Sequence, residues 1–579
     1  MPIRCSAALI ALLFFPLLSA PQLPESPAFQ TATHVVILNV VAKDKHGKPV
    51  DDLKHGDFVL RDNGQEQKIA MFALDDAREA PGAAQASAPL TFTNRPALGA
   101  ARFTAFLFDE LNTQLVDQQL AKKVFLHHLK GLPANERVAV FVLGDSLMLL
   151  HDFSEDKAAL LAALDGHANR VSPEAAASAA APVSSNSITG DSATTAQWDG
   201  FLQSSNQAYI NYTQTVRALR TAAALQTIAE HLQGIPGRKT LIWISSGFPI
   251  QLGLRAGGDD MAQSNPNNRD SSRTAGHGRG GGGGRSAGSA GGARTSGTGS
   301  ANSTSNSSGS SSQASELPGT GESYETDVER AIRALNEADV AVYPVDARGL
   351  MVAAPFGADR ASFGKRNNPA KSGPAVDYGY ETMEGLAQET GGRAYHHIND
   401  LNSAIQDADG DARVSYSLTF YPSDAGLDDS YHRLQVEVKR PGVSVRYRPG
   451  YLAAKQTAMA PSLADAVVNP VNLTGIGFTA HLDPVDGGYK LSVNVDPRNI
   501  TIDQKDGKWT GMLQFLVVVG KVEQLTTVPL SFTDDVFRRI QNQGLTLGAR
   551  VKTPPGTTGF SLGFRDIPSG QVGTLHVPL

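Results

Sequence analysis

An apolar run that stops on an acid is the first place where this chain could do chemistry. In FTAFLFDELNTQ, residues 103–114, Asp109 closes the run, and Leu111 and Thr113 follow at alternate positions. A carboxylate so placed either serves a metal ion, and through it a partner, or caps the helix that begins after it, where negative charge is favourable. Other chemical patterns are weaker. Gly276-His277-Gly278-Arg279-Gly280-Gly281 matches a dinucleotide fingerprint and Gly284-Arg285-Ser286-Ala287-Gly288 a nucleophile elbow. Both need a strand before and a helix after, and both lie in low-complexity sequence. The pairs His127-His128 and His396-His397 are adjacent rather than one turn apart, so neither pair faces one metal from a helix; core or solvated histidines are expected. Ser245-Ser246 at the end of KTLIWIS has no identifiable base, which disfavours a hydrolase.

The elements that must position Asp109 are legible. RFTAFLF, RVAVFVL (137–143), KTLIWIS (239–245) and DVAVYPV (339–345) are near-continuous apolar runs, as in a parallel sheet covered on both faces. Helices are expected between them. One covers 113–130, where Val116, Leu120 and Val124 repeat at four-residue spacing. A second covers 207–233, with Val216, Leu219, Ala223, Ile228 and Leu232 inward. Two more cover 321–337 and 380–390, the last stopped by Gly391-Gly392. This is a doubly wound α/β domain over residues 101–410.

The flanks read as β. Residues 29–76 form a small domain with turns at His46-Gly47-Lys48-Pro49 and Asp62-Asn63-Gly64. Residues 77–100 are a linker rich in Ala and Pro. A β extension covers 411–455, a second linker 456–469, and a sandwich-like domain 470–579, with one helix at 534–543 between Thr533 and Gly544. Residues 171–205 show little periodicity. The Gly/Ser/Asn tract at 254–320 cannot bury a core and is expected as a disordered insertion in the α/β domain.

Residues 1–28 have the form of a cleaved export signal: Arg4, an apolar stretch at 7–19, then small residues. Cys5 is the only cysteine and precedes the apolar run, so the mature chain would have no disulfide and no thiolate metal site. No later stretch is apolar enough to span a bilayer. A net charge of −6 without a basic cluster leaves no electrostatic footprint for nucleic acid. An exported protein is expected, periplasmic or extracellular, with no transmembrane segment in the mature chain.

Several stretches resemble the exported bacterial proteins related to the von Willebrand factor type A domain. They are VVAKDKHGKPVDDLKHGDFVLRDNGQEQKI, FLFDELNT, LQGIPGRKTLIWISSGFP, VAVYPVDARGL, LAQETGGRAYHHINDL and YSLTFYPSDAGLDDSYHRLQVEVKRPGVSVRYRPGYL, spread over about residues 34–455. The resemblance implies a metal-ion-dependent adhesion site built as Asp-x-Ser-x-Ser, a loop threonine, and an aspartate after the fourth strand. Mg²⁺ suits such a set, since a partner's carboxylate completes its octahedron. Matched here, Asp109 and Thr113 take the first and third positions. Leu111 stands in place of a serine, Ser246 in place of the aspartate, and Thr213 and Thr215 are the nearest loop threonines. The set Asp109, Thr113 and Ser246 is therefore degenerate. It implies no cofactor, or Mg²⁺ held only weakly, with Asp109 and Asn112 serving chiefly to cap the helix from 113. The function expected is non-enzymatic binding of a protein partner or a cell surface. An α/β hydrolase and a purely structural envelope component are the alternatives.

Overall fold

The computed structural model describes residues 36–76, 89–95, 102–132, 136–170, 192–248, 321–348, 378–396, 400–411, 414–422, 430–453 and 462–579. The export segment, the tract at 254–320 and residues 77–88, 96–100 and 456–461 of the linkers lie outside the described residues; from Ser462 the expected second linker corrects to structure, with a helix at Leu463–Val467.

A five-stranded sheet sits at the centre, in the order Val340–Asp346, Lys239–Ser245, Arg102–Asp109, Glu136–Leu143, Leu147–Ser154. The first four run parallel. Three of them, 136–143, 239–245 and 340–346, are buried at every residue, which is why each reads as a near-continuous apolar run with its polar residues at the strand ends. The fifth is antiparallel and completes a hairpin after Gly144-Asp145-Ser146. Numbered along the chain, the order is 5-4-1-2-3, a doubly wound topology whose switch point lies beside the first strand, at Asp109. Strand 147–154 and the helices Lys157–Gly166 and Leu401–Asp411 were not among the expected elements.

Two helices turn differently from what their apolar spacing suggests. In Leu115–Gly131 the buried residues are Gln118, Ala121, Phe125, His128 and Leu129, while Val116 and Leu120 are exposed. The Phe125 ring sets the phase by packing 4.4 Å from Phe106 and 5.2 Å from Phe108, centroid to centroid. Of the four-residue repeat, Val116 and Leu120 thus lie on the outer flank, and Val124 is half-buried against the core. The other helix runs Ser192–Leu232, 41 residues, and begins inside the stretch expected to lack periodicity. Its inward face is Ala218, Ala222, Leu225, Ile228, Ala229 and Leu232; Ala223 is exposed and Val216 and Leu219 are half-buried.

The flanking units are built from distant parts of the chain. Strands Val36–Asp44 and Ile69–Asp76 share a sheet with Val414–Phe420 and Val443–Arg446, and Phe58–Asp62 and Gln65–Gln67 share another with Tyr431–Val438 and Gly450–Leu452. The expected N-terminal domain and the 411–455 extension are therefore one sandwich, with Leu38, Val40, Phe58, Leu418, Phe420 and Val436 in its core. Each half presents one apolar strand face, and only the other half can cover it. The Asn63-Gly64 turn has both residues at positive φ, as its hairpin requires.

The second sandwich pairs Phe478–Val485, Gly488–Val495 and Leu545–Lys552 with a layer led by Lys508–Val519, Gly559–Asp566 and Val572–Pro578. Part of the expected linker corrects to structure: Thr91–Thr93 pairs with 479–481 at the edge of this sandwich. Helix Asp534–Gln543 starts after Thr533 and ends at Gly544, φ +85°, as read from sequence, although Thr533 makes no side-chain cap bond.

Candidate functional site

Asp109 ends the central strand at the carboxyl edge of the sheet and is 1% exposed. The neighbouring strand brings Trp243 and Ser245 to it, two residues apart and so on the same face. Trp243 Nε1 donates to Asp109 Oδ2 at 3.1 Å and Ser245 Oγ to the same oxygen at 2.8 Å. The chain then turns back on itself: the Asn112 backbone N–H reaches Oδ1 at 3.0 Å, and Asn112 Nδ2 lies 3.1 Å from Oδ1 and 2.8 Å from Oδ2. Burial pushes the Asp109 carboxyl above its ordinary value, and these hydrogen bonds from Asn112, Ser245 and Trp243 oppose that shift.

The carboxylate is the acceptor hub of a local turn rather than a helix cap. The residue at the N-cap position is Gln114, whose side chain makes no capping bond, and the helix starts at Leu115. The expectation that Asp109 and Asn112 cap a helix from 113 is corrected on that point. Asn112 looks the other way, donating to Thr221 Oγ1 at 2.9 Å and accepting from Arg217 Nε at 2.9 Å, both on the long helix. Thr213 and Thr215, the candidate loop threonines, bond to Ile210 and Asn211 carbonyls of that same helix.

Thr113 and Ser246 do come together near Asp109. Ser246 N donates to Thr113 Oγ1 at 3.1 Å, and Ser246 Oγ lies 3.4 Å from Asp117 Oδ2. Leu111 is fully buried. The Asp117 carboxyl is pushed up, first by burial and further by the Asp346 charge. Asp346 itself is bonded by Arg348, with Nε to Oδ1 and Nη2 to Oδ2 both at 2.9 Å, so that pair closes locally. Beneath the turn, Glu110 Oε1 meets His167 Nε2 at 2.9 Å, and Gln118 Nε2 donates to the Glu110, Thr113 and Arg170 carbonyls.

Tested against Mg²⁺, this set fits poorly. Both Asp109 oxygens are already met by five donor contacts, which fills the lone-pair positions of a carboxylate. The space bounded by Asp109, Glu110, Thr113, Gln118, Asn169 and Ile244 is about 10 Å³, room for about one water. Among the described residues, no group of three or more His, Cys, Asp and Glu is placed to hold a metal. Trp243 and Arg217 were not singled out in the sequence, and Ser245 and Asn112 were named there in other roles, as half of a serine pair and as a helix cap; the W-x-S alternation at the end of strand 239–245 was the signal that two side chains share one face there.

No family model and no curated relative matches the chain. Solved structures similar to it include an aerotolerance-related membrane protein of Bacteroides fragilis carrying multiple mutations to serine: 11% identity, TM-score 0.26, covering 54% of this chain and 98% of that one. BatB from Bacteroides thetaiotaomicron is similar at 12% identity and TM-score 0.24, covering 54% and 97%. A von Willebrand factor type A protein from Catenulispora acidiphila is similar at 10% identity and TM-score 0.23, covering 88% and 74%. The doubly wound assignment rests on the strand order and pairing themselves.

Three of the stretches that carried the resemblance meet at the opposite, amino edge of the sheet. From LQGIPGRKT, Arg238 Nη2 donates to the Gly391 carbonyl at 2.9 Å and to Tyr343 Oη at 3.2 Å. Gly391 of TGGRAY has φ +72°, and a Cβ there would lie 2.7 Å from Arg448 N of YRPGYL. Arg448 reaches the Ile37 carbonyl at 2.8 Å and the Asn336 carbonyl at 3.0 Å. Lys43 pairs with Asp411 and with Asp407, and Arg446 also pairs with Asp411, which is fully buried. These residues join the first sandwich to the α/β domain.

Proposed function

We propose that the chain is a non-enzymatic, exported protein that binds a protein partner at the carboxyl edge of its α/β sheet, through an apolar contact that needs no cation. The observation that supports this is the apolar flank of the helix leaving the Asp109 turn. Val116 is 76% exposed, with Leu115 at 38% and Leu120 at 46%. Single exposed apolar residues are ordinary, but three in the first two turns beside a topological switch point form a place where a partner side chain can be desolvated. Asp117 and Ser246 at its rim offer hydrogen bonds. Ser245 supports a non-catalytic reading: its hydroxyl is buried and committed to Asp109, a packing role rather than one aimed at a substrate. Among the described residues, no helix is long and apolar enough to cross a membrane.

The test is capture from an envelope extract by the mature chain, in Mg²⁺ and in a chelator. Equal capture in both, lost in Val116→Glu with the fold intact, is the expected result. Capture that requires Mg²⁺, or that survives Val116→Glu unchanged, would overturn the proposal.

A further inference from the structure

The long helix carries a feature that the sheet-edge site does not use. Among its described residues none is buried before Thr213, and between 198 and 212 only Leu202, Asn206 and Ile210 are half-buried. On that stretch Trp198 is 51% exposed, Phe201 60%, Tyr209 54% and Tyr212 63%. At about 100° per residue these four rings fall within a sector of roughly 80°, a single stripe. Their spacing is symmetric: positions 198 and 212, and 201 and 209, lie at equal distances on either side of Ser205. Residues 192–216 contain no Lys, Arg, His or Glu and one acid, Asp199.

We infer that this stripe is a self-pairing surface, on which the helices of two copies of the chain cross antiparallel about a two-fold axis at Ser205. A two-fold contact requires a surface complementary to itself, and the symmetric spacing supplies one. Antiparallel pairing about residue 205 sets Trp198 opposite Tyr212 of the second copy and Phe201 opposite Tyr209, with small Ser205 at the crossing where the backbones must approach. The rings are spread over about 21 Å of helix, enough for several side-by-side aromatic contacts. Charge points the same way. Two chains of net charge −6 repel, and the stripe is a neutral place where like can meet like. The rings alone would remove roughly 900 Å² from water in the pair, below the 1,200 Å² or so of a stable complex, so the association is reversible.

Sedimentation velocity of the mature chain over a concentration series should show a monomer–dimer equilibrium. Trp198→Ala with Phe201→Ala, both exposed positions, should weaken it about tenfold or more. In the mature chain, which lacks Cys5, Ser205→Cys should form a disulfide-linked dimer under mild oxidation, whereas Gln207→Cys, on the opposite side of the helix, should not. Val116→Glu should leave the equilibrium unchanged, which separates this surface from the one at the sheet edge. A wild type that stays monomeric throughout, an equilibrium untouched by the double alanine variant, or equal cross-linking at 205 and 207 would each overturn the inference.

Discussion

Asp109→Asn distinguishes a hydrogen-bond hub from both a helix cap and a metal ligand. Asparagine is as good a cap as aspartate, so a capping role predicts almost no cost. In the structure both carboxylate oxygens accept: Oδ1 from the Asn112 backbone and side chain, Oδ2 from Asn112 Nδ2, Trp243 and Ser245. An amide NH₂ must replace one oxygen. Facing Oδ2's partners it meets the indole N–H and the Asn112 amide; facing Oδ1's it meets the Asn112 backbone N–H. The Ser245 hydroxyl can rotate to accept, but the others cannot. Each buried donor left without an acceptor costs about 1–3 kcal/mol. Removing a carboxyl that burial disfavours returns part of that, leaving an expected loss of about 2–4 kcal/mol. Urea unfolding at neutral pH, followed by tryptophan fluorescence in a Trp198→Phe, Trp509→Phe background, reports on buried Trp243 alone. A loss below about 0.5 kcal/mol would refute the hub. So would a Mg²⁺-induced rise in the wild-type melting temperature that the asparagine abolishes, since a cation would then be competing successfully for Asp109.

Two further outcomes follow from the amino edge of the sheet. Burial pushes the Lys239 amine down to about 8, with Asp339 opposing. The folded chain therefore binds fewer protons than the unfolded one between about 8 and the ordinary value of 10.5, and stability should rise by about 3 kcal/mol across that window. Lys239→Met should flatten the rise in denaturation experiments at stepped pH; an unchanged slope would contradict it. Gly392→Ala would drive a Cβ into the Val342 carbonyl, whereas Gly410 has open space around it. Thermal melting should show a loss of about 3 kcal/mol or more for Gly392→Ala and little change or a slight gain for Gly410→Ala.

What the sequence could and could not say follows from range. Strands 136–143 and 239–245 were legible because burial on both faces selects apolar residues through the middle of each, 138–143 and 241–244, a property of the segment itself. The phase of helix 115–131 was not, since Val116, Leu120 and Val124 repeat as regularly as Ala121, Phe125 and Leu129. Only the Phe106 and Phe108 rings on the sheet decide between the two. At the site, Asp109 was found because it closes an apolar run, and Thr113 and Ser246 through the resemblance to the type A domain pattern. Trp243 looked like one more core residue, and its turn toward Asp109 depends on the register of two strands more than 130 residues apart. Thr91–Thr93 is too short to show a period, and its partner strand lies nearly 400 residues further along.

That last pairing and the split first sandwich set an order on how this chain can come into being. The α/β domain lies between halves of one sandwich and, at the same time, between the strand 91–93 and the rest of the other. While the chain is emerging, the strand that carries Leu38 and Val40 has no strand partner until residues 414–446 arrive, so its apolar face must wait in the open across the whole length of the α/β domain. The α/β domain has no such wait, because its strands come one after another. It can close first, and its closure brings Gly391 and Asp411 into position beside the pieces of sandwich that are still apart. The central domain then serves the outer one as an internal template, and a chain cut anywhere before residue 414 would leave a ready-made sticky edge at its N-terminal end.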